Sequence, residues 1–419
     1  MLQVNFLREN KEMVIEGFRK RNFSDENLLI IDSIISLDDE RKSIQKSLDD
    51  KLSISNQTAA KIGQLLKNGE KLAAETAKAD VSSLKTEISA LEEKMRTIAT
   101  ELDNQMISLP NVPHESVAFG KTPEDNIVYQ EWPTELPVLP ETALPHWDLA
   151  KKYDIFDLEL GTKITGAGFP VYRKKGARLQ RALINFFIDQ AVEQGFEEII
   201  PPLMVNEASA RGTGQIPDKE AQMYYVEKDD LYLIPTAEVP ITNLYRDVIL
   251  NEDQFPIKMT GYTPCFRREA GSYGAHVRGL NRVHQFDKVE IVVLEHPDRS
   301  YQTLQEMRKH VSSLMSKLEL PYRILHLCGG DMGFASASTY DFEVYSAAQK
   351  RWLEVSSVSN FETFQANRLK CRYKGDGKSQ LVHTLNGSAM ALPRIMAALL
   401  ENNQTPEGIK LPKKVAEYA

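Results

Sequence analysis

Apolar residues recur at alternating spacings of three and four along a stretch near the start of the chain. From about residue 25 to residue 106 the sequence has no proline and has glycine only at positions 63 and 69, which favours long helices. The second half of this stretch carries a regular coiled-coil seam, formed by Val81, Leu84, Ile88, Leu91, Met95, Ile98 and Leu102. The first half carries a less regular seam, resembling a stutter, formed by Ile34, Leu37, Ile44, Leu48, Leu52, Ala59, Ile62 and Leu66. With turn-forming residues at 67–70, the pattern predicts an antiparallel helical hairpin about 50 Å long.

The periodicity changes after this hairpin. The string LPNVP at residues 109–113 ends the helices, because proline removes a backbone donor and disfavours helix in the residue before it. From about residue 122, strand-like runs at 231–234, 288–294 and 340–345 alternate with helical stretches at 178–194 and 301–318. We therefore predict an α+β protein with a coiled-coil domain at residues 1–108, a linker at 109–121, and a domain at 122–419 whose mainly antiparallel sheet is flanked by helices.

Composition limits the class of protein without indicating an activity. At 419 residues with 42% hydrophobic positions, the chain can bury a large core. It has no run of ~18 uncharged apolar residues, and its opening residues carry charges where a signal peptide would be apolar, so we expect a cytoplasmic protein without a membrane span. Cys265, Cys328 and Cys371 are far apart, which predicts neither a disulfide framework nor a zinc site.

The charge of the hairpin is uneven. The formal net charge of the chain is −8, so contact with a nucleic acid would require a local basic patch. The distal half, residues 51–85, carries six lysines against three acidic residues, whereas the proximal half does not share this sign. Heptads alone fit a dimerisation or bundle element equally well, but a basic tip suits a phosphate backbone. The candidate contacts are Lys61, Lys67, Lys71 and Lys78.

The most informative chemistry lies between residues 266 and 290. The string FRRE at 266–269 is followed by GSYG at 271–274, RG at 278–279 and HQFDKVE at 284–290, a pattern that predicts two strands joined by a long polar loop. The planar fork of arginine binds carboxylate or phosphate through two parallel hydrogen bonds, so the pattern indicates an anionic ligand that also carries an amine. If FRRE stood alone, a surface ion-pair ladder would be the favoured explanation.

The longer pattern resembles the class II aminoacyl-tRNA synthetases, and specifically the bacterial-type seryl enzymes. Residues 266–290 resemble motif 2, GFEEIIPPL within 195–204 resembles motif 1, and NGSAMALPR at the start of 386–401 resembles motif 3. Further seryl-type strings are PTAE at 235–238, GDMGF at 330–334 and EVSS at 354–357. The resemblance extends over the whole chain and includes the hairpin.

The resemblance implies a serine–tRNA ligase. Such an enzyme activates L-serine with ATP to form seryl-adenylate and pyrophosphate, and then transfers serine to the 3′ end of tRNA(Ser) and, where present, tRNA(Sec). It also implies Mg²⁺ bound with ATP, a homodimer, no DNA partner and no zinc. Two other classes stay open: a paralogue that loads a carrier protein or nothing, and a non-enzymatic RNA-binding scaffold. Such paralogues typically lack the hairpin, and a scaffold would be expected to lose motif residues that this chain keeps.

The resemblance also assigns roles to individual residues. Arg267, Glu269 and Arg394 would be the catalytic residues, with Arg267 on the α-phosphate and the serine carboxylate, and Glu269 on the adenine amino group. The serine pocket would be lined by Thr236, Ala237, Glu238, Arg267, Lys288, Glu290, Asn386 and Ser388. The ATP site would comprise Arg267, Arg268, Glu269, Arg278, Val283, Phe286, Glu354, Val355, Ser356, Ser357 and Arg394. Glu354 and Ser357 would bind Mg²⁺, a hard cation that prefers oxygen ligands.

Two positions depart from the family pattern. Many relatives read Gly-Arg-Asp-Thr-Arg in the motif 2 loop, whereas this chain has Ala275, His276 and Val277 before Arg278, which puts the loop's detailed contacts with tRNA in doubt. Many relatives have glycine before the motif 3 arginine, whereas this chain has Pro393. Because proline is tolerated in the first turn of a helix, we expect Arg394 to keep its position.

Overall fold

The structure is a computed structural model that describes residues 1–133, 135–218, 221–269, 277–375 and 377–419. Ala275 and His276, the first two departures in the motif 2 loop, lie outside the described residues. The chain divides into two compact units. The smaller comprises Leu2–Arg19 and Phe23–Leu109, and the larger comprises Met1, Lys20–Asn22 and Pro110–Ala419.

The smaller unit is helical, and its two long helices form the predicted hairpin. Its helices are α1 (Val4–Glu9), α2 (Lys11–Lys20), α3 (Asp25–Lys67) and α4 (Lys71–Ser108). The hydroxyl of Ser24 accepts a hydrogen bond from the Asn27 amide at 3.2 Å, which satisfies one free donor at the start of α3. Between α3 and α4, Gly69 adopts a positive φ of 81°, a conformation that glycine takes at little cost.

Exposed ion pairs between α3 and α4 show their antiparallel register. Lys94 contacts Glu40 at 2.8 Å near the base, and Lys51 contacts Glu87 further out. The predicted seam of α4 is confirmed, because each of its residues from Val81 to Leu102 is buried or half-buried. Beyond Leu48 the predicted seam of α3 is correct at Ile62 and wrong at Leu52, Ala59 and Leu66. The half-buried residues there are Lys51, Ser55, Thr58, Ile62 and Leu65.

No stutter is therefore needed in α3. The regular spacing of three and four continues, but polar side chains occupy several seam positions while Leu52, Ala59 and Leu66 face solvent. Opposite them, α4 supplies the small buried residues Ala74 and Ala77. The distal part of the hairpin consequently has fewer and smaller apolar side chains between its helices than the proximal part.

The larger unit mixes helices and strands. Its helices are α5 (His146–Tyr153), α6 (Leu158–Ile164), α7 (Lys174–Glu193), α8 (Glu207–Thr213), α9 (Glu238–Asn243), α10 (Ser300–Lys317), α11 (Thr363–Leu369), α12 (Leu392–Asn402) and α13 (Lys413–Ala416). Its strands are β1 (Ile127–Trp132), β2 (Phe156–Asp157), β3 (Val171–Tyr172), β4 (Glu197–Glu198), β5 (Met204–Val205), β6 (Tyr225–Val226), β7 (Leu231–Leu233), β8 (Ile249–Asn251), β9 (Ile257–Phe266), β10 (Gln285–Glu295), β11 (Tyr322–His326), β12 (Ser338–Ser346), β13 (Arg351–Glu362), β14 (Arg372–Gly375), β15 (Lys378–Leu381), β16 (His383–Ala391), β17 (Gln404–Thr405) and β18 (Gly408–Ile409).

The main sheet has eight strands in the order β1-β11-β12-β13-β16-β10-β9-β4. Every neighbouring pair in it is antiparallel except β4 and β9, which are parallel. The predicted α+β class with a mainly antiparallel sheet is therefore confirmed. Motif 2 runs from the last residue of β9 to the first half of β10, and these two strands pair antiparallel. Motif 3 includes most of β16 and α12, with Pro393 in the first turn of that helix as expected.

The two faces of this sheet differ. On one face Val289, Ile291 and Val293 of β10 are fully buried in a core that includes residues of α7, α10 and α12. Because successive strand residues point to opposite faces, Phe286, Lys288 and Glu290 share the other face. That face carries the polar residues described below. No helix in the described ranges is long and apolar enough to cross a membrane.

Candidate active site

Strand register brings the predicted serine residues together on the polar face. Across the β10–β16 pair, Glu290 lies opposite Ser388 and Val292 lies opposite Asn386. The β9–β10 pair places Lys288 opposite Thr263 on the other side. Residues separated by about a hundred positions in the sequence therefore meet on three adjacent strands.

Glu290 is the centre of this cluster. Its side chain is only 1% exposed, and its Oε2 atom lies 2.7 Å from Nζ of Lys288. The hydroxyls of Thr236 and Ser388 donate to the same oxygen at 3.3 and 3.5 Å. A buried carboxylate is stable only when it is paired and hydrogen-bonded, and these donors meet that requirement.

Glu238, at the start of α9, is a second buried carboxylate. Burial and the nearby Glu290 raise the pKa of Glu238 to about 7. The amide of Gln365 donates to Oε1 of Glu238 at 2.6 Å, and the Asn386 side chain is a further hydrogen-bond partner. Ala237, which precedes Glu238, is fully buried in the apolar cluster beneath the site.

Gln365 was not predicted from the sequence. Its Nε2 also donates to the Thr213 carbonyl at 3.1 Å, and its Oε1 accepts from the Thr384 hydroxyl at 2.7 Å, so the orientation of its amide is fixed. A glutamine in a short helix carries no signal of this kind, because the contact depends on how α11 packs against the sheet.

Arg267 follows β9 and faces the same site. Its Nε donates to the Pro235 carbonyl at 3.4 Å, and its guanidinium lies 5.3 Å from the centre of the Phe286 ring. The Arg267 backbone is held on both sides by His284, whose carbonyl accepts from the Arg267 amide at 2.9 Å and whose Nδ1 lies 3.0 Å from the Arg267 carbonyl. Val283, next to this histidine, is buried.

The remaining motif 2 residues point in different directions. Arg268 is exposed and lies over the Tyr224 ring at 5.6 Å. Glu269 adopts a positive φ of 47° and is paired with Arg282 at 3.1 Å. Glu269 and Arg268 are therefore not part of the Glu290 cluster, although they adjoin Arg267.

Arg278 and Arg394 are held by contacts separate from the Glu290 cluster. The guanidinium of Arg278 stacks on the Trp147 ring at 4.6 Å. Arg394 donates from Nε to the Asn281 carbonyl at 2.9 Å and from Nη1 to the Glu354 carbonyl at 2.7 Å. Nη1 of Arg394 also lies 4.0 Å from the Glu354 carboxylate, whereas Arg278 is held by the neutral Trp147 ring.

A bulge places Glu354 and Ser357 on one face of β13. In a regular strand, residues three apart would point to opposite faces. Here Ser357 pairs with Asp341 and Glu354 pairs with Glu343, with a register shift between them, so both align with the same side of β12. The intervening Val355 and Ser356 are buried, and the Ser356 hydroxyl donates to the Ser388 carbonyl instead. Their side chains do not join the face that Glu354 and Ser357 share.

Asp341 lies beside this pair and was read from the sequence only as part of a sheet strand. Burial and the nearby Glu354 raise its pKa well above the usual value, although the Ser357 side chain hydrogen-bonds to it. Its Oδ1 is enclosed and has no hydrogen-bond partner among the described residues. A cavity of about 360 Å³ connects this carboxylate to Glu238, with Ser357 on its wall.

These oxygens fit a hard divalent cation. A carboxylate, a hydroxyl and a second, incompletely satisfied carboxylate share one face, and magnesium prefers such ligands while retaining waters or phosphate oxygens. In the described ranges, no group of three or more histidine, cysteine or acidic residues is arranged so that it could hold a metal ion by itself.

The four lysines predicted to contact RNA belong to the smaller unit. Lys61 and Lys67 lie in the last turns of α3, and Lys71 and Lys78 lie in the first turns of α4. All four are exposed, and none takes part in an ion pair seen among the described residues. They form a cationic tip on a protein whose net charge is negative.

Comparisons with known proteins agree on one kind of protein. Residues 1–113 match the model of the seryl-tRNA synthetase N-terminal domain, and residues 224–403 match the model of the tRNA synthetase class II core domain of the G, H, P, S and T enzymes. The chain is 48% identical to a serine–tRNA ligase of Salinibacter ruber, over the whole chain and 98% of that protein. It is 33% identical to the seryl-tRNA synthetase of Pyrococcus horikoshii complexed with ATP, covering 98% of that chain with a TM-score of 0.91. A cytoplasmic serine-tRNA ligase of Naegleria fowleri in complex with AMP is 26% identical, covering 97% of that chain with a TM-score of 0.86.

Proposed function

The chain belongs to the class II seryl-tRNA synthetases, and from that premise we propose how its side chains divide the work of the reaction. It is a ligase that activates serine with ATP and transfers the activated serine to tRNA. The observation that carries the assignment of the site is the buried Glu290 cluster, which lies on the same sheet face as Phe286 and beside Arg267.

Glu290 and Ser388 recognise the serine hydroxyl in this proposal. Serine must be separated from alanine by that hydroxyl, and alanine would leave a buried carboxylate without one of its partners. A site built in this way can discriminate by roughly 10⁴-fold. Glu238 and Thr236 would bind the serine ammonium, and Arg267 would bind the serine carboxylate.

Adenylate formation requires positioning and charge neutralisation more than proton transfer. The serine carboxylate attacks the α-phosphate in line, and pyrophosphate leaves. Arg267 would neutralise the α-phosphate, while Arg278 and Arg394 would hold the outer phosphates. Phe286 would stack on adenine, and Glu269 would exchange its ion pair with Arg282 for the adenine amino group. This chemistry suits a site rich in arginine and without a nucleophile.

Glu354 and Ser357 would hold Mg²⁺ between the protein and the ATP phosphates, with Asp341 alongside. The ion would supply further neutralisation of phosphate charge when bound. The bulge in β13 supports this assignment, because it turns two residues three apart in sequence toward one face.

The remaining proposals concern the binding partners, the domain boundaries and the cellular location. The basic tip of the hairpin would contact tRNA(Ser) and, where present, tRNA(Sec). A homodimer would use the surface of motif 1, where Ile200 is 88% exposed and Met204 is 46% exposed. We also propose the domain boundaries given above, at residues 1–108, 109–121 and 122–419, and a cytoplasmic location.

Two linked assays test the division of work. Serine-dependent exchange of pyrophosphate into ATP reports on activation, and charging of bulk tRNA with labelled serine reports on transfer. We expect both activities with the full chain, and we expect alanine to support exchange at least 10³-fold less well because of Glu290. Exchange without charging would point instead to a paralogue that loads another acceptor. Loss of both would contradict the proposed site.

A further inference from the structure

A fully buried histidine and glutamate support the segment that carries Arg278. His146 opens α5 and Glu401 lies near the end of α12, and both side chains are 0% exposed. Nδ1 of His146 lies 2.6 Å from Oε1 of Glu401. On its other side, Nε2 of His146 accepts the backbone amide of Leu280 at 2.8 Å.

The hydrogen bonds fix the protonation state of this histidine. Since the Leu280 amide can only donate, Nε2 must be the acceptor, and the ring proton must lie on Nδ1 and point to Glu401. Oε1 of Glu401 also accepts the His146 backbone amide at 2.9 Å, and Gln349 donates to it at 3.0 Å. Surrounded by donors, Glu401 can only act as an acceptor. His146 is therefore a neutral imidazole that joins a carboxylate to a backbone amide.

The adjoining residues show that this contact sets the position of the chain. Gly279 adopts a positive φ of 70°, and a Cβ atom added there would lie 2.1 Å from Nε2 of His146. The backbone thus passes directly against the imidazole ring. A second contact lies beside this one. Trp147, which follows His146, stacks on Arg278, which precedes Gly279.

The same segment also positions Arg394. Asn281, which follows Leu280, is 3% exposed and accepts Nε of Arg394 through its carbonyl at 2.9 Å. Its side chain donates to Gln349 at 2.9 Å, and Gln349 in turn donates to Glu401. Residues 278–281 consequently link the two arginines, and the buried histidine and glutamate anchor that link.

We propose that His146 is a positioning residue for ATP: through Nε2 it holds residues 278–281 so that Arg278 and Arg394 meet the outer phosphates. This inference rests on the proposed roles of the two arginines. It predicts an effect on ATP and not on serine, because the Glu290 and Glu238 clusters make no contact with this network in the described part of the chain.

Two substitutions of His146 separate its two hydrogen bonds. His146→Gln can place its side-chain oxygen near the position of Nε2 and keep the Leu280 contact, whereas His146→Asn can place its nitrogen near Nδ1 and keep only the Glu401 contact. We expect His146→Asn to raise the KM for ATP in pyrophosphate exchange about tenfold or more, since small misplacements of binding groups have effects of up to about 10²-fold. His146→Gln should stay within about threefold of the unchanged enzyme, and the KM for serine should change less than twofold in both.

A second variant and a control accompany the pair. Gly279→Ala should raise the KM for ATP like His146→Asn, because its Cβ displaces the backbone from the imidazole. His383→Asn removes a partly buried histidine that contacts the Ser300 hydroxyl, and should leave both KM values unchanged.

The outcomes are distinct. Equal effects of His146→Asn and His146→Gln, or an equal rise in the KM for serine, would overturn the inference. If His146→Asn fails to fold, Gly279→Ala decides by the same two KM values. Absence of serine-dependent exchange in the unchanged enzyme would instead overturn the proposed function.

Discussion

The helical hairpin and the sheet face assemble their contacts in different ways. In the hairpin, Lys51 pairs with Glu87 and Glu40 pairs with Lys94. Each such layer, meaning one level along the hairpin, involves only the residues that face each other across the two helices. On the sheet, Glu290 takes its donors from Thr236, Lys288 and Ser388, which lie up to 152 positions apart in the sequence. A layer of the hairpin can be removed without disturbing the next, whereas each residue of the site depends on several strands.

This difference predicts that the two activities can be separated. Changes in the distal hairpin should weaken transfer to tRNA and leave activation of serine intact, because the hairpin tip and the Glu290 cluster share no residue. Changes on the sheet face should reduce activation and, with it, transfer. The predictions below test whether the two activities are separable, beginning with the largest expected effect.

The largest effect is expected at Arg267. Arg267→Ala removes the guanidinium that faces Phe286 and would neutralise the α-phosphate, so exchange should fall about 10³-fold. The measurement is the initial rate of serine-dependent pyrophosphate exchange. Arg299→Ala is a suitable control, because that arginine is half exposed and pairs only with Glu295 at 3.1 Å in the described structure. Exchange within tenfold of the unchanged enzyme would remove Arg267 from the reaction.

Shortening the hairpin should have the next largest effect, and only on transfer. Residues 52–86 would be replaced by a short loop containing Asn-Gly, so that the Lys51–Glu87 pair becomes the last layer. Charging of tRNA should fall about 10²-fold, since the whole cationic tip is removed, while exchange should stay within twofold. Unchanged charging would show that the tip does not bind tRNA. A parallel fall in exchange would show that the two regions are not separable.

The third prediction concerns pH and the sheet face. Because the pKa of Glu238 is raised to about 7, this carboxyl loses its charge as the pH falls through that value. A neutral Glu238 attracts the serine ammonium less, so the KM for serine should rise roughly tenfold between pH 8 and pH 6, as expected for one titrating group. The KM for ATP, measured in the same exchange assay, should not show this tenfold rise between pH 8 and pH 6.

Gln365→Leu sharpens this test. It removes the hydrogen bond that favours the charged form of Glu238, so the midpoint of the serine curve should move to higher pH. Glu238→Gln should abolish the pH dependence and keep the KM for serine high at both pH values. A curve that survives Glu238→Gln would assign the titration to another group.

The two regions also differ in how far the sequence predicted them. The α4 seam was predicted correctly, because its apolar residues fall at regular positions from Val81 to Leu102. The outer α3 seam was predicted correctly only at Ile62, since Ser55 and Thr58 occupy other seam positions and Leu52 faces solvent. In this region spacing, not hydrophobicity, decides which residues face the partner helix.

On the sheet face, spacing was sufficient for some residues and not for others. Lys288 and Glu290 alternate along β10, so their common face follows from the strand itself. Glu354 and Ser357 share a face only because of a bulge, and no residue type in β13 predicts that bulge. His146, Asp341 and Gln365 come from separate elements, and their contacts depend on packing between those elements. Resemblance to a family supplied the roles that periodicity could not.

The smallest effects are expected at single lysines of the hairpin tip. Lys61, Lys67, Lys71 and Lys78 are exposed, so each would contribute one screened contact with a phosphate rather than a buried ion pair. Each Lys→Ala change should raise the KM for tRNA about two- to threefold at low salt, and the four independent changes together should raise it roughly 16- to 80-fold. Lys46→Ala, an exposed lysine of the proximal half, is the matched control and should have no effect.

Salt dependence shows whether these lysines act as phosphate contacts. Each lost contact releases one fewer counterion, so the slope of log KM against log salt should become shallower by up to about 0.9 per lysine removed. A rise in KM without a change in slope would mean that the lysines shape the tip rather than pair with phosphate. In either case exchange should not respond to these substitutions, because activation uses the sheet face alone. A change in the exchange rate of any lysine variant would show that the hairpin tip and the sheet face do not act separately.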